Sequence, residues 1–380
     1  MTPHNSEPVL RFLRLVCRGE SYWDRLRGAD KSHNMTAWIS FYRRLWENAA
    51  RSIEADFEEL ARDFWRVRLD SASTLINNYV VQIDDPVVLR IAGNKPLCHS
   101  LLRNKGLPVP DHETYTIGEF HKARRFISQN AGGIFVVKPA VGTSGGRGVT
   151  LHVRSIAECR RATARASLYG EQLMIERFIP GECYRLLFLG GEMIHAVRQR
   201  GVWVTGDGQS TIQNLLRRQY CLNGSPVAET ICDPDYRTTI GAQGLTDSSV
   251  PESGKRVLVK SSFGGDPQTP QALTRYDENV TTLVGEGVIS EACRGVAALG
   301  SRFASVELVT MDPTVSLRAS GGAIIEINTT PGLHRHYSGG PEDDAMLPVT
   351  VLSFLLKAAS GPSHRPKPLE AGEERKESRL

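Results

Sequence analysis

Lys138 follows the apolar run 134–137 and stands just before Gly142, Thr143, Ser144, Gly145, Gly146, Arg147 and Gly148. A lysine at the end of a buried strand is expensive unless an anion meets it. Glycines let a backbone approach a ligand and turn N–H groups toward it, and the hydroxyls add donors. A cation followed by a donor-rich loop suits a nucleoside triphosphate; a solvated hairpin turn is the plain alternative. The spacing is not that of a P-loop, where the lysine follows the glycines, and no Gly-x-Gly-x-x-Gly opens a helix. Glu307, Glu326 and Asn328 are the polar residues of two apolar runs. Residues two apart on a strand share a face, so Glu326 and Asn328 point the same way. Two carboxylates and an amide oxygen form a hard-cation set suited to magnesium held jointly with phosphates. Amphipathic strands with one face in water are the alternative.

Further groups are locally ambiguous. Lys95, in Asn94-Lys95-Pro96, begins a helix and is as a local feature a solvated surface lysine. Phe178 follows Glu176 and Arg177, and a flat base could lie against it with its edges read by Glu176 and backbone groups near Ile179; an ordinary strand exit with a core phenylalanine fits equally. Arg185, Arg198 and Arg200 lie on consecutive strands and could collect on one face to clamp phosphate or carboxylate, or form an edge-strand charge row. His334, Arg335 and His336 follow Pro331-Gly332 and could meet a substrate carboxylate or form a solvated turn.

The elements that must position these residues can be read in order. Residues 1–35 are polar and irregular. From Thr36, Trp38, Phe41, Leu45, Ala49, Ile53, Phe57, Leu60 and Phe64 recur at helical spacing, and their bland reading is a core-packing stripe. A strand is expected over 75–83, and Asp84-Asp85-Pro86 breaks the chain. Residues 1–86 form a helix-rich first lobe. A helix starting at Asn94-Lys95-Pro96 buries Leu97, Leu101 and Leu102 and stops at Gly106. Helices are expected over 116–129, 155–167, 211–218 and 288–300. Strands are expected over 134–137, 173–176, 256–260, 304–311 and 322–330, with a hairpin of 184–189 and 193–200 around Gly190-Gly191. Residues 219–275 are too long for an idle loop and read as a substrate-covering insertion. Residues 361–380 read as a disordered tail.

With 380 residues, 40% hydrophobic and 23% charged, the chain has the size and composition of a globular protein of two or three lobes. A net charge of +4 is too mild to argue for nucleic acid. The scattered, odd set of seven cysteines has no Cys-x-x-Cys and argues for a reducing compartment. No apolar run approaches the ~20 residues needed to span a bilayer, and Arg11, Arg14 and Arg18 interrupt the only N-terminal apolar patch, so a cytoplasmic, non-membrane protein is expected.

The order of lysine at a helix start, lysine before a glycine loop, Glu-Arg-Phe-Ile, acidic residue, Glu-x-Asn and Pro-Gly resembles the ATP-grasp superfamily of carboxylate–amine ligases, nearest the cyanophycin-synthetase and D-alanine–D-alanine-ligase branch. The segments that carry it are 94–110, 136–149, 175–187, 204–216 and 324–332, within residues 85–355. The resemblance implies an α/β (α+β) ATP-grasp fold: a lid lobe over 87–175, a large lobe over 176–358 and a tail over 359–380. It implies ATP held by Lys95, Lys138, Ser144, Gly145, Gly146, Glu176, Arg177, Phe178, Ile179 and Glu182. It implies a pair of Mg2+ ions on Glu307, Glu326 and Asn328, and Arg185 and Arg200 facing an acylphosphate. An amino acid or short peptide is the implied substrate, met by Arg198, His334, Arg335 and His336; a homodimer is common among such ligases. Cys183 stands where relatives place an acidic ribose ligand, with Glu182 adjacent, and Ser305 stands where D-alanine ligases carry an arginine. Those two departures keep a nucleotide-binding module without turnover as the alternative, and a kinase releasing a phosphorylated product as a third.

Overall fold

The computed structural model describes residues 7–27, 31–143, 146–199, 201–221, 236, 239–241, 243–260, 277–336 and 346–360. The N-terminal region opens with α1 (Glu7–Arg27) and α2 (Lys31–Ser52), followed by an antiparallel meander of β1 (Asp56–Ala61), β2 (Phe64–Leu69), β3 (Ala72–Asn77) and β4 (Val80–Val81). Two expectations are corrected here. Residues 7–27 and 31–35 are helical, not irregular: α1 lays Leu10 into the same core as Tyr115 and Phe120. The long stripe does not remain one helix to Phe64. It ends at Ser52, Glu54 turns with φ 56, and Phe57 continues on β1, its ring 6.1 Å from that of Trp65 on β2. Alternation on strands had continued a helical spacing by coincidence.

After α3 (Pro86–Ala92) comes α4 (Lys95–Asn104). Asn94 caps it by accepting from Leu97 N, Pro96 fills the first turn, and Gly106 leaves it at φ +70. An Asn cap is worth about 1 kcal/mol over alanine. The chain then runs through β5 (His112–Tyr115), α5 (Phe120–Gln129), β6 (Phe135–Pro139), β7 (Thr150–Val153), α6 (Ile156–Ala166) and β8 (Leu173–Arg177), whose strands form a second sheet. This sheet is antiparallel in the order β5-β8-β6-β7. Tyr115, Phe135, Val137, Leu173 and Ile175 bury one face with residues of α5 and α6. The register turns His112, Val136, Lys138, Met174 and Glu176 to the other face.

The larger sheet is built from β9 (Glu182–Leu189), β10 (Glu192–Gln199), β13 (Asp277–Asn279), β14 (Phe303–Thr310) and β15 (Ala323–Thr329) in the antiparallel order β13-β10-β9-β14-β15. Between β10 and β13, β11 (Val202–Thr205) pairs with β12 (Arg256–Lys260), and α7 (Ile212–Cys221) packs on them through Ile212 and Leu216. Much of the expected insertion, residues 222–235 and 261–276, lies outside the described residues, as does the 361–380 tail. α8 (Glu286–Leu299) packs with Leu102 on the face carrying Tyr184, Leu186, Phe188, Val306 and Ile324. On the opposite face, Leu187, Leu189 and Phe303 share a core with Trp38, Tyr42 and Trp46 of α2 and with Val351 and Leu352 of α9 (Met346–Ser360). Beyond that core the same face turns polar.

Candidate active site

The polar part of the large sheet is fixed by register. Glu307 on β14 lies directly opposite Arg185 on β9 and Glu326 on β15, and Ser305 lies opposite Asn328. An irregularity between Glu307 and Leu308 pairs Leu308 with Ile324, which keeps Glu326 and Asn328 on the Glu307 side while Ile324 goes to the core. Arg185 Nη2 pairs with Glu307 Oε1, and Asn328 Nδ2 donates to the same oxygen at 3.1 Å. Asn328 therefore turns its amide oxygen away from Glu307. Lys95, the first residue of α4, lies with Nζ 3.2 Å from Glu326 Oε1 and donates to Thr143 O at 3.0 Å, at the start of the glycine loop. Backbone bonds Lys95 N→Ala140 O and Gly142 N→Gly93 O join the same two segments. Across from them, Lys138 Nζ donates to Glu176 Oε1 at 2.6 Å, both side chains buried.

Lys95, Lys138, Arg185, Glu176, Glu307, Glu326 and Asn328 thus come from six elements into one group of ion pairs in which every cation is matched to a carboxylate. Buried charges are tolerated because they are paired. Lys95 and Arg185 occupy the carboxylate oxygens that a divalent cation would take, so they supply the positive charge that the set requires. Among the described residues no group of three or more His, Cys, Asp or Glu side chains has metal-binding geometry. The set here is two facing carboxylates and an amide oxygen, and its hard oxygen donors fit Mg2+.

Around this group, Phe178 is half-buried, donates its N–H to Ile134 O at 2.8 Å, and has His152 with its ring centroid 4.6 Å away. His152 takes φ 57 at an irregularity of the β6–β7 pair. Ile179 is half-buried, while the Arg177 side chain is exposed and its N–H donates to Asp111 O. Gly146 has φ +75, in the left-handed region that glycine adopts without strain. Ser144, Gly145 and Arg200 lie outside the described residues.

Several expected placements are corrected. Arg185 and Arg198 do not share a face. A bulge between Met193 and His195 pairs Val197 with Arg185 and Arg198 with Tyr184, which sends Arg198 to the opposite face. There Arg198 binds Glu182 at 2.8 Å and Glu278 at 2.5 Å. Glu182 is held by Arg198 and the Tyr184 hydroxyl on that far face. Cys183 lies on the Arg185 face, its thiol donating to Gln199 Oε1 at 3.1 Å. His334 is buried, its Nδ1 2.6 Å from the Tyr42 hydroxyl and its ring edge-on to Trp38. It is an internal anchor for the turn, not a solvent-facing ligand. His336 is buried against His195, with Nδ1–Nδ1 3.1 Å, and Arg335 is half-buried. Burial first, then neighbouring cations, holds both His334 and His336 well below the usual histidine range.

Sequence reasoning missed His99, His112, His195 and Gln199. His99 had a signal, one turn after Lys95 on the same side of α4. His195 and Gln199 had none, because only the bulge brings them to the Arg185 face.

No family model matches the chain. Cyanophycin synthetase from Synechocystis sp. is 26% identical over 292 residues, covering 73% of this chain and 32% of that protein. The glutathione biosynthesis bifunctional protein of Enterococcus faecalis is 27% identical over 286 residues, covering 72% of this chain and 36% of that protein. The chain therefore spans about a third of the length of these curated relatives. A bifunctional glutathione synthetase from Pasteurella multocida superposes with a TM-score of 0.50 at 20% identity, over 80% of this chain and 41% of that one. The fold is the ATP-grasp fold, with paired lysines and a carboxylate–amide set where its two α+β lobes meet.

Proposed function

We propose that the chain is an ATP-dependent carboxylate–amine ligase, which phosphorylates a substrate carboxylate and joins the acylphosphate to an amine with release of ADP and phosphate. The observation that carries this reading is the matched set Lys95–Glu326, Lys138–Glu176 and Arg185–Glu307, contributed by both lobes. The similarity to cyanophycin synthetase and to a glutathione biosynthesis protein supports it. Lys95 and Lys138 are the cations for the triphosphate, and the loop through Gly146 closes over it. Glu307, Glu326 and Asn328 are the ligands for Mg2+, which when bound neutralises phosphate charge. Arg185 faces the transferred phosphoryl group; preorganised cations of this kind stabilise charge as it develops. The nucleophile is the substrate amine, so no protein nucleophile is required. An amino acid or short peptide is the proposed substrate class. We also infer a cytoplasmic location from the cysteine pattern; no described helix is long and apolar enough to cross a membrane.

The test is ADP release with ATP, Mg2+ and a panel of amino acids, with hydroxylamine as a trap for the acylphosphate. Amine-dependent ADP release with hydroxamate formation is the expected result. A folded sample that releases no ADP with any pair sinks the ligase, and release of a stable phosphorylated product makes it a kinase.

A further inference from the structure

The first turns of α1 carry large apolar side chains on the side away from the protein. Val9, Phe12, Leu15 and Val16 are 48%, 65%, 64% and 42% exposed. At 3.6 residues per turn they fall, with the exposed Pro8, within an arc of about 120°. Leu10 lies on the opposite side of the helix, buried with Tyr115 and Phe120. Arg14 Nη2 donates to Ser167 O at 3.2 Å and ties down the same inner side. The inner face of α1 is thus already packed, and the outer arc is a second apolar face. Single exposed apolar residues need no explanation, but several on one face of one helix mark an interaction surface.

Charge decides what kind of surface meets it. Residues 8–18 contain Arg11, Arg14 and Arg18 and no acidic residue. All three arginines are exposed, and helical geometry puts all three on the flank next to Leu15. An antiparallel second copy would bring both arginine flanks to one edge and set like charges against each other, whereas an anionic surface meets them favourably. The groove beside α1, lined by Arg14, Ile117 and Leu168, opens on the arginine side, so the apolar arc is the outer, convex side of the helix. A convex apolar arc with a cationic flank is the form of a helix that lies in the plane of a membrane interface. No described helix is long and apolar enough to cross a membrane, so the contact is one of lying on the surface.

We propose that α1 docks the protein on an anionic phospholipid surface, with Phe12 and Leu15 entering the headgroup–acyl boundary and Arg11 and Arg18 against the lipid phosphates. The proposal is independent of the ligase reading, since none of these residues belongs to the ion-pair group. It agrees in sign with the net charge of +4, and the inner side of α1 stays bound to the protein through Leu10 and Arg14.

Co-sedimentation of the full chain with vesicles of phosphatidylglycerol in phosphatidylcholine, and with phosphatidylcholine alone, tests this. Binding to the anionic vesicles is expected to be stronger by about tenfold or more, and to weaken as salt is raised. The double variant Phe12→Ser, Leu15→Ser is expected to weaken it by about tenfold or more. Arg11→Gln with Arg18→Gln is expected to weaken it by about tenfold. Both variants alter exposed side chains and are expected to melt at the wild-type temperature. Absence of binding to the anionic vesicles overturns the proposal, as does equal binding to phosphatidylcholine alone. Wild-type binding by the serine variant overturns it too. A dimer in light scattering that the serine variant makes monomeric would instead identify a second copy as the occupant and likewise overturn it.

Discussion

Lys95 touches both Glu326 and the start of the glycine loop, so charge at this one residue links the cation set to the phosphate loop. Glu326→Gln is the cleaner probe of that link. It removes the carboxylate while Lys95 keeps Thr143 O, and it is expected to abolish ADP release and shift the melting temperature by only a few degrees. An enzyme with full turnover would defeat the assignment. Lys138 is a harsher site, because Lys138→Met strands Glu176 as a buried, uncompensated charge; breaking such a pair costs about 3–5 kcal/mol. Loss of activity there, without a denaturation curve, would say nothing about catalysis. The buried histidines set an acid limit. His99, His334 and His336 have folded-state values below their unfolded ones, so folding gains nothing from them above about pH 6.5 and loses stability as pH falls below it. Each contributes a slope of about 1.4 kcal/mol per pH unit in that window. Urea midpoints between pH 7 and 5 should fall steeply in wild type and less so in His334→Phe; identical slopes would show that His334 protonates as readily folded as unfolded.

At the scale of elements, the exit from β8 into β9 is the tightest backbone approach next to the site. Gly181 leaves the Phe178–Ile179 segment at φ +136, and a Cβ there would lie 2.5 Å from the Thr310 carbonyl at the end of β14. Gly181→Ala combines a strained conformation with a backbone clash. It is expected to destabilise by about 1–3 kcal/mol and to weaken nucleotide binding, measured by thermal melts and titration. A variant as stable as wild type would mean that the hinge relaxes without loss. The elements also show what was legible in the chain. Asn94-Lys95-Pro96, the 134–139 strand ending in Lys138, and Glu326-x-Asn328 are local signals of cap, strand end and shared face, and they appear where the residues placed them. The turn at Gly190-Gly191 predicts an unbulged register, in which Arg185 and Arg198 share a face. One extra residue before His195 reverses that, and nothing local marks it. The partnership of His99 with His112 and Ile325 joins three elements far apart in sequence, so spacing could not show it.

At the scale of the molecule, the first 81 residues do not stand apart from the sheet that carries the site. Trp38, Tyr42 and Trp46 of α2 and Trp65 and Ile76 of the meander share one core with Leu187, Leu189 and Phe303 of the large sheet and with Val351 and Leu352 of α9. The hydroxyl of Tyr42 also accepts from His334 N at 3.3 Å, so α2 reaches the turn that follows the Glu-x-Asn strand. Removing residues 1–81 would expose the face on which the carboxylates sit, rather than release an accessory lobe. Burial of large side chains of this kind is worth about 1.5–3 kcal/mol each, and several would be lost together, against a whole-domain stability of about 5–15 kcal/mol. The truncated chain is expected to be insoluble or to bind the dye ANS without a cooperative melt. Trp46→Ala, a fully buried ring whose Nε1 donates to Asn78 O at 2.8 Å, is the graded form of the same experiment. It is expected to cost about 3–5 kcal/mol in urea denaturation. A truncated chain that melts cooperatively at the wild-type temperature would show that the site's sheet folds without its N-terminal cover.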